Sequence, residues 1–490
     1  MAGSPAEGSF ERSREAFGQV QEWLAGPEAA RLDHAAVEEE LSARGREIQR
    51  LLLQDHLNAR AAAEPRLAQV AGPDGVTRTR AERGHARSLA SVFGPVTVTR
   101  IAYRAPGSPN VHPADGQLNM PAGKHSHGLA KMTAAAAAAG SLERACVQVR
   151  DRTGCALGRR QAQQLARAAA ADFEDFYASR RRPPPGAAPG DVLVLSCDAK
   201  GIAVRPGELR PRAQRLAAKA VPRQDGRLSR GEVRTRKRMA EVAAVFDLTP
   251  VPRTAAGILG PGPRPPGPAA AGKWLTASVA ADAADVVAAA FAEARRRDPA
   301  QERTWIALAD GNKDQIAWIG AQAAARGTAI PVVIDVIHVL EYLWDAAWSF
   351  FPEASPDAGP WVRARAAAIL DGHALQVAAA LRADAAGLGT TKRATATRTA
   401  RYLEAKAPWL DYPQALASGW PISTGVIEGA CRHLVKDRMD ITGARWGVQT
   451  AEAILKLRAL HANGDFDAYW AYHLHREHHR NHPPSYQLAA

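Results

Sequence analysis

The sequence predicts a multidomain α/β protein. A mixed-sheet core carries an all-α insertion and follows a mainly helical N-terminal region with a helix-turn-helix-like pair. Three observations predict it. Strand-like apolar runs alternate with helical patterns from Val192 to Phe350. From Phe351 to Trp420 the periodicity is helical, broken by proline, with no strand signal. The run from Arg180 to Gly190, RRRPPPGAAPG, cannot continue a helix and marks a linker before the core. At 490 residues and 46% hydrophobic content, the chain is long and apolar enough to bury a sizeable core.

Taken in order, residues 1–80 read as helical. Ile48, Leu51, Leu52 and Leu53 form an apolar stripe of helical period within Leu41 to Leu57. Near Phe93 the period becomes two: Val96, Val98 and Tyr103 alternate with Thr97, Thr99 and Arg100, a short strand or hairpin arm. Residues 105–124 are loop. Ser141 to Arg152 and Gly158 to Tyr177 are helices around a turn at Thr153-Gly154-Cys155, within a region spanning 81–179. Arg159, Arg160, Gln163 and Gln164 open the second helix, and such residues can read base edges. The alternative is a helical hairpin with a solvated polar face.

The linker covers 180–190, and the core's first part covers 191–350. Its strands are the run from Val192, then Met239 to Leu248, Lys273 to Val279, the run ending at Asp310, and Ile330 to Ile334. Its helices are Ala284 to Arg297, Lys313 to Arg326 and Val336 to Phe350. The all-α insertion covers 351–420, the last core part 421–470, and a His-rich tail 471–490.

Three acids stand out. Asp198 ends the run Val192 to Cys197, Asp310 ends Trp305 to Ala309, and Glu428 lies near the start of a helical pattern. They are separated by 112 and 118 residues, so only tertiary folding can join them. Two carboxylates at strand ends and one on a late helix is how a ribonuclease H-like core collects oxygen ligands for two magnesium ions. A lone acid at a strand end is more simply a helix cap or loop salt bridge; three in this element order favour phosphodiester chemistry.

With these residues in view, the chain resembles the ISKra-type bacterial insertion-sequence transposases of the DDE superfamily, over about residues 80–475. The resemblance rests on Asp198-Ala199-Lys200-Gly201-Ile202, Arg236-Lys237-Arg238-Met239-Ala240, Ala309-Asp310-Gly311, Asp335-Val336-Ile337-His338-Val339, Gly425-Val426-Ile427-Glu428-Gly429 and Gly443-Ala444-Arg445-Trp446. It implies that Asp198, Asp310 and Glu428 bind two Mg2+ ions, with Mn2+ able to substitute, and that the activity is DNA strand cleavage and joining. It also implies support from Asp335, Arg445 and Trp446. His338 either approaches the scissile phosphate or packs against the core behind an Asp335 helix cap. Relatives carry a cysteine cluster after the early strand pair; Tyr103 to Asn110 holds none, so no zinc is expected.

Charge completes the expectation. The net charge is +13, which fits a polyanionic partner, although heavy Ala and Arg usage alone would produce it. From Arg205 to Arg238 there are 12 Lys or Arg against 3 Asp or Glu. Arg234, Arg236, Lys237 and Arg238 are the expected phosphate contacts; the bland reading is a solvated loop. Arg432 and Lys436 follow Glu428 at helical spacing, as a basic stripe on its face. The tail histidines, His473, His475, His478, His479 and His482, are able to bind a transition metal in vitro, but the tail reads as solvated. The four cysteines form no C-x-x-C pair and read as reduced thiols. Neither a signal peptide nor an apolar run of membrane-spanning length is visible, and a cytoplasmic, DNA-associated protein is expected. The expected partner is double-stranded DNA, bound as a homodimer or higher oligomer. Two rivals stand: a domesticated transposase that only binds DNA, and a ribonuclease H-like nuclease that cuts without joining.

Overall fold

The structure, a computed structural model, describes residues 10–180, 191–219, 237–260, 262, 266–441 and 443–482. Helices α1 (Glu11–Ala25) and α2 (His34–Ala63) precede strands β1 (Val70–Ala71), β2 (Thr77–Arg78), β3 (Arg80–Ser91) and β4 (Gly94–Arg104). Five helices follow: α3 (Pro113–Gln117), α4 (His127–Ala139), α5 (Leu142–Thr153), α6 (Arg159–Ala169) and α7 (Phe173–Ser179). The next part runs β5 (Val192–Ala203), α8 (Pro211–Lys219), β6 (Lys237–Leu248), α9 (Ala255–Leu259), β7 (Ala270–Ser278), α10 (Ala283–Arg297), β8 (Trp305–Ala309), α11 (Lys313–Arg326), β9 (Val332–Ile334) and α12 (Val336–Phe350). Then come α13 (Ala358–Leu370), α14 (Ala374–Ala385), α15 (Thr390–Lys406), α16 (Tyr412–Ala417), α17 (Gly425–Ala430), α18 (Asp437–Met439), α19 (Val448–Ala462) and α20 (Phe466–Asn481). The chain divides into two units, Met1–Ala178 with Asp465–Ala490, and Ser179–Gly464.

In the first unit, β3 and β4 form a long antiparallel hairpin turning at Gly94, whose φ of 122° needs glycine. Leu57 of α2 packs with Leu89, Val96, Val98 and Met120. Residues 1–80 are therefore not helical throughout. The expectation missed β1, β2 and β3, because β3 (RAERGHARSLAS) is largely exposed and shows little apolar alternation. The loop at 105–124 also contains the short α3.

Helices α4, α5 and α6 pack on one another. Ser141 Oγ caps α5 by accepting from the Arg144 N–H, and Gly154 ends it at φ 71°. The second helix of the pair stops at Ala169 rather than Tyr177, and α7 restarts at Phe173.

The tail expected to be solvated is, up to His482, the packed helix α20. His473 Nδ1 meets Asp172 Oδ2 at 2.6 Å, Tyr469 OH donates to Ala169 O at 2.7 Å, and His482 Nε2 meets Met120 O at 2.8 Å. Phe466, Tyr469 and Trp470 give the helix its buried face. Residues 483–490 lie outside the described residues.

His112 stacks on His85, with Nε2 and Nδ1 2.9 Å apart. Burial, then the Arg100 charge, push His112 down to about 4, against Asp115. An unfolded imidazole titrates near ~6.5, so between these values the unfolded chain binds more protons. Stability contributed by the neutral ring is full above about 6.5 and falls as pH drops towards 4. Urea unfolding at pH 7.5 and 5 should show this loss, and His112→Gln should reduce it; an equal loss in the variant would assign it elsewhere.

The second unit is built on a five-stranded mixed sheet, order β7-β6-β5-β8-β9. β5 pairs antiparallel with β6, and β6 with β7; β8 pairs parallel with β5 and with β9. Val192 to Cys197 are buried on both faces, as a central covered strand requires. Phe291 of α10 packs on Trp305, level with Leu193, so α10 covers the face of Leu193, Leu195 and Cys197. Helices α17 and α19 also pack on the sheet. Helices α13 to α16 form the insertion, without a strand among its described residues.

Candidate active site

β5 continues past Asp198 to Ala203, because its antiparallel partner β6 extends to Lys237. Asp198 is therefore within a strand rather than at its end. It does lie just past the parallel β5–β8 ladder, which stops at Ser196↔Leu308. The register of that ladder, carried two residues further, brings Asp198 level with Asp310. The β8–β9 ladder ends at Ala309↔Ile334, and one further step brings Asp310 level with Asp335. Adjacent strands lie about 4.8 Å apart, so the backbone positions of the three acids stand side by side across β5, β8 and β9.

Each acid is held differently. Asp198 Oδ1 accepts from the Ala199 N–H at 2.6 Å, and its Oδ2 faces the Cys431 thiol at 3.3 Å. That contact puts the segment after α17 on the Asp198 face, opposite α10. Asp310 Oδ1 accepts from the Asn312 N–H at 2.8 Å, and Gly311 turns the chain at φ 92°. Asp335 is buried and caps α12 by accepting from the Ile337 N–H at 2.9 Å. The Thr424 hydroxyl sits between Asp335 Oδ2 and Glu428 Oε1, 3.2 Å from the latter. Glu428 itself is exposed.

A cavity of about 190 Å³ opens beside Asp198 and Asp310 and is walled by Val286 and Val287 of α10, on the side away from Cys431, with Glu241, Gln315 and Trp318 also lining it. Burial raises Glu241, as does the nearby Asp198 charge, while Arg210 opposes it. Burial pushes the Cys197 thiol up to about 12, and Cys431 upward by burial and then by Asp198, so both stay protonated. On the Asp198 side, Lys200 is half-buried two residues along the same strand face and forms no ion pair among the described residues. The insertion contributes Tyr402, whose buried hydroxyl has no hydrogen-bond partner among the described residues and would stand 3.0 Å from a Cβ at Gly311. Burial raises its pKa, with Tyr342 and the Asp310 and Asp335 carboxylates adding to it.

Magnesium is a hard cation that takes carboxylate oxygens, the donor type that Asp198 and Asp310 carry. Asp198 and Asp310 share the cavity; Glu428 is turned towards Thr424 instead. Among the described residues, no three His, Cys, Asp or Glu side chains stand close enough together to hold a metal ion. Two acids of the proposed set, Asp198 and Asp310, line one cavity, and Glu428 is not among its lining residues.

The helix after Glu428 changes character. Cys431–Lys436 is a π-helix, so the i, i+4, i+8 spacing of Glu428, Arg432 and Lys436 does not make one straight stripe. Arg458 of α19 donates to the carbonyls of His433 and Leu434 (2.9 Å to the latter), where the wide turn leaves acceptors. Arg432 and Lys436 are exposed.

Several expected contacts are reassigned. Arg238 is a clamp: Nε donates to Val279 O at 2.7 Å, Nη1 to Glu208 O at 3.2 Å, and Nη2 to Ala280 O at 3.4 Å. Three of its five N–H donors thus go to backbone carbonyls. Lys237 is exposed, 3.9 Å from Asp440. Arg234 and Arg236 lie outside the described residues. Trp446 is buried, donates to Met439 O at 2.9 Å and pairs its backbone with Ala203 and Arg205, pinning the end of β5. Arg445 is exposed. His338 is half-exposed rather than packed in the core, with Nδ1 3.3 Å from Glu341. In the first unit Arg159, Arg160 and Gln164 are exposed and Gln163 is half-buried. The sequence reading missed Thr424, Lys200 and Tyr402. For Lys200 the signal was its place two residues from Asp198; for Tyr402 there was none.

All four cysteines are free thiols. Among the described residues no helix is long and apolar enough to cross a membrane. No protein-family model and no curated protein sequence matches the chain. Among solved structures, a Drosophila P element transposase strand transfer complex aligns over 70% of this chain and 79% of that chain, at 11% identity and a TM-score of 0.23. A likeness of that degree defines neither fold nor activity.

Proposed function

We propose that the second unit is a ribonuclease H-like catalytic domain, and that the protein is a DDE-type DNA transposase that cleaves and joins DNA strands. The observation that carries this reading is the level placement of Asp198 and Asp310 on adjacent parallel strands, with the Glu428 helix approaching over the Asp198 face. Asp198, Asp310 and Glu428 would hold Mg2+, two ions with Mn2+ as a substitute, which when bound activates a water nucleophile and stabilises the leaving oxygen. The chain's own groups do the rest. The Ala199 and Asn312 N–H groups and the Cys431 thiol orient the two aspartates. The Thr424 hydroxyl holds Glu428 beside Asp335, and Glu428 would have to leave it to join the other two acids. Lys200 supplies positive charge for a phosphate, and His338 stands at the start of α12 as a further polar contact. In the first unit, Arg159, Arg160, Gln163 and Gln164 present the surface for duplex DNA, and assembly as a homo-oligomer on DNA belongs to the same reading.

The test is incubation of the purified protein with duplexes carrying the DNA that flanks its coding region, with and without Mg2+. Metal-dependent nicking followed by joined products supports the reading. Binding without cleavage supports the domesticated rival, and cleavage without joined products the nuclease.

Lys200 gives a finer prediction. Lys200→Gln should slow cleavage by about tenfold to a hundredfold and flatten the slope of log affinity against log salt by about one unit. An unchanged slope would remove Lys200 from phosphate contact.

A further inference from the structure

We infer that His475 and His479, on the outer side of α20, form a binding site for a borderline transition-metal ion such as Zn2+, separate from the carboxylate row. The two residues are one turn apart and both exposed. Their Nε2 atoms converge to 3.0 Å, with ring centroids 4.3 Å apart. Two nitrogens each about 2.0–2.1 Å from one tetrahedral zinc stand about 3.3 Å apart, so a small side-chain adjustment admits the ion. Without it the two rings share one N–H···N bond, which a metal replaces on both sides.

The surroundings favour this. The inner histidines of the helix are already engaged: His473 with Asp172, His478 with Gly116 O and His482 with Met120 O. They fix the rotation of α20 and leave His475 and His479 facing outward. The neighbouring cations are neutralised locally, Arg476 by Asp175 and Arg480 by Asp172 and Glu477. Imidazole suits zinc, nickel and copper rather than magnesium, so this site and the carboxylate row select different ions. Two protein ligands leave the remaining positions to water, and the affinity order should follow Cu2+ above Ni2+ and Zn2+.

The experiment is calorimetric titration of the untagged full chain with ZnCl2 at pH 7.5, alongside His475→Ala, His479→Ala and His478→Ala. One ion per chain is expected, weakened at least tenfold by either of the first two variants and unchanged by the third. Circular dichroism of each variant checks that α20 is intact. Equal zinc affinity in His479→Ala and wild type, or no zinc binding by wild type, would overturn the site. Neither outcome bears on cleavage at the carboxylate row.

Discussion

Replacing Asp198, Asp310 or Glu428 by alanine is expected to bring metal-dependent DNA cleavage to background, a loss of about a thousandfold or more. DNA binding should stay within a few-fold of wild type. Asp198 and Asp310 are neighbours on one sheet edge, so removing one leaves a single carboxylate where two are needed. Mutual repulsion in that pair relaxes on removal, so melting temperature should hold or rise slightly without metal. Glu428 is exposed and held only through Thr424, so its loss should also leave the fold intact. Asp335→Ala should behave differently. It removes the α12 cap and uncovers Thr424, so stability should fall along with activity. Gel-shift, cleavage and melting measurements on the same preparations separate these effects. A variant that still cuts at wild-type rate takes its residue out of the site.

The legible parts of this chain are those whose signal is local. Val192 to Cys197 and Trp305 to Ala309 are continuous apolar runs buried on both faces, and the helix from Val336 to Phe350 buries residues at helical period. The buried positions Ile427, Ala430, Cys431 and Leu434 also keep helical spacing, which hid the π-helix beginning at Cys431. What was illegible depends on distant partners. α20 looks solvated from its histidines, yet His473 and Arg480 share Asp172, about 300 residues earlier. Arg238 looks like one more cation in a basic run, but Glu208, Val279 and Ala280 supply the carbonyls that engage it. The row itself was half visible. The acids could be named, but their level placement required two strand registers that no single segment encodes.

The largest stability effect is expected at the other end of the same sheet. Asp247, on β6, is 6% exposed and lies between two guanidinium groups. Arg297 Nη1 donates to it at 2.9 Å and Arg303 Nη2 at 2.7 Å. Arg297 also donates through Nε to Glu293 at 2.7 Å, and Arg303 donates to the carbonyls of Asp191 and Val192. The cluster thus joins β6, α10 and the start of β5. Asp247→Ala leaves the buried Arg297 and the half-buried Arg303 facing each other without the carboxylate between them. Breaking a buried pair from one side costs about 3–5 kcal/mol, much of it the penalty of the unpaired charge. Arg297→Met in the wild-type background should cost less, because Arg303 still neutralises Asp247 and Arg296 still reaches Glu293 at 2.6 Å. Combining Asp247→Ala with Arg297→Met should therefore recover part of the loss, a coupling that two independent defects would not show. Denaturant unfolding of the three variants measures it. The cluster is far along the sheet from Asp198, so the folded fraction of Asp247→Ala should keep its cleavage rate per molecule. Strictly additive losses would mean that the charges are solvated and the network contributes little to the fold.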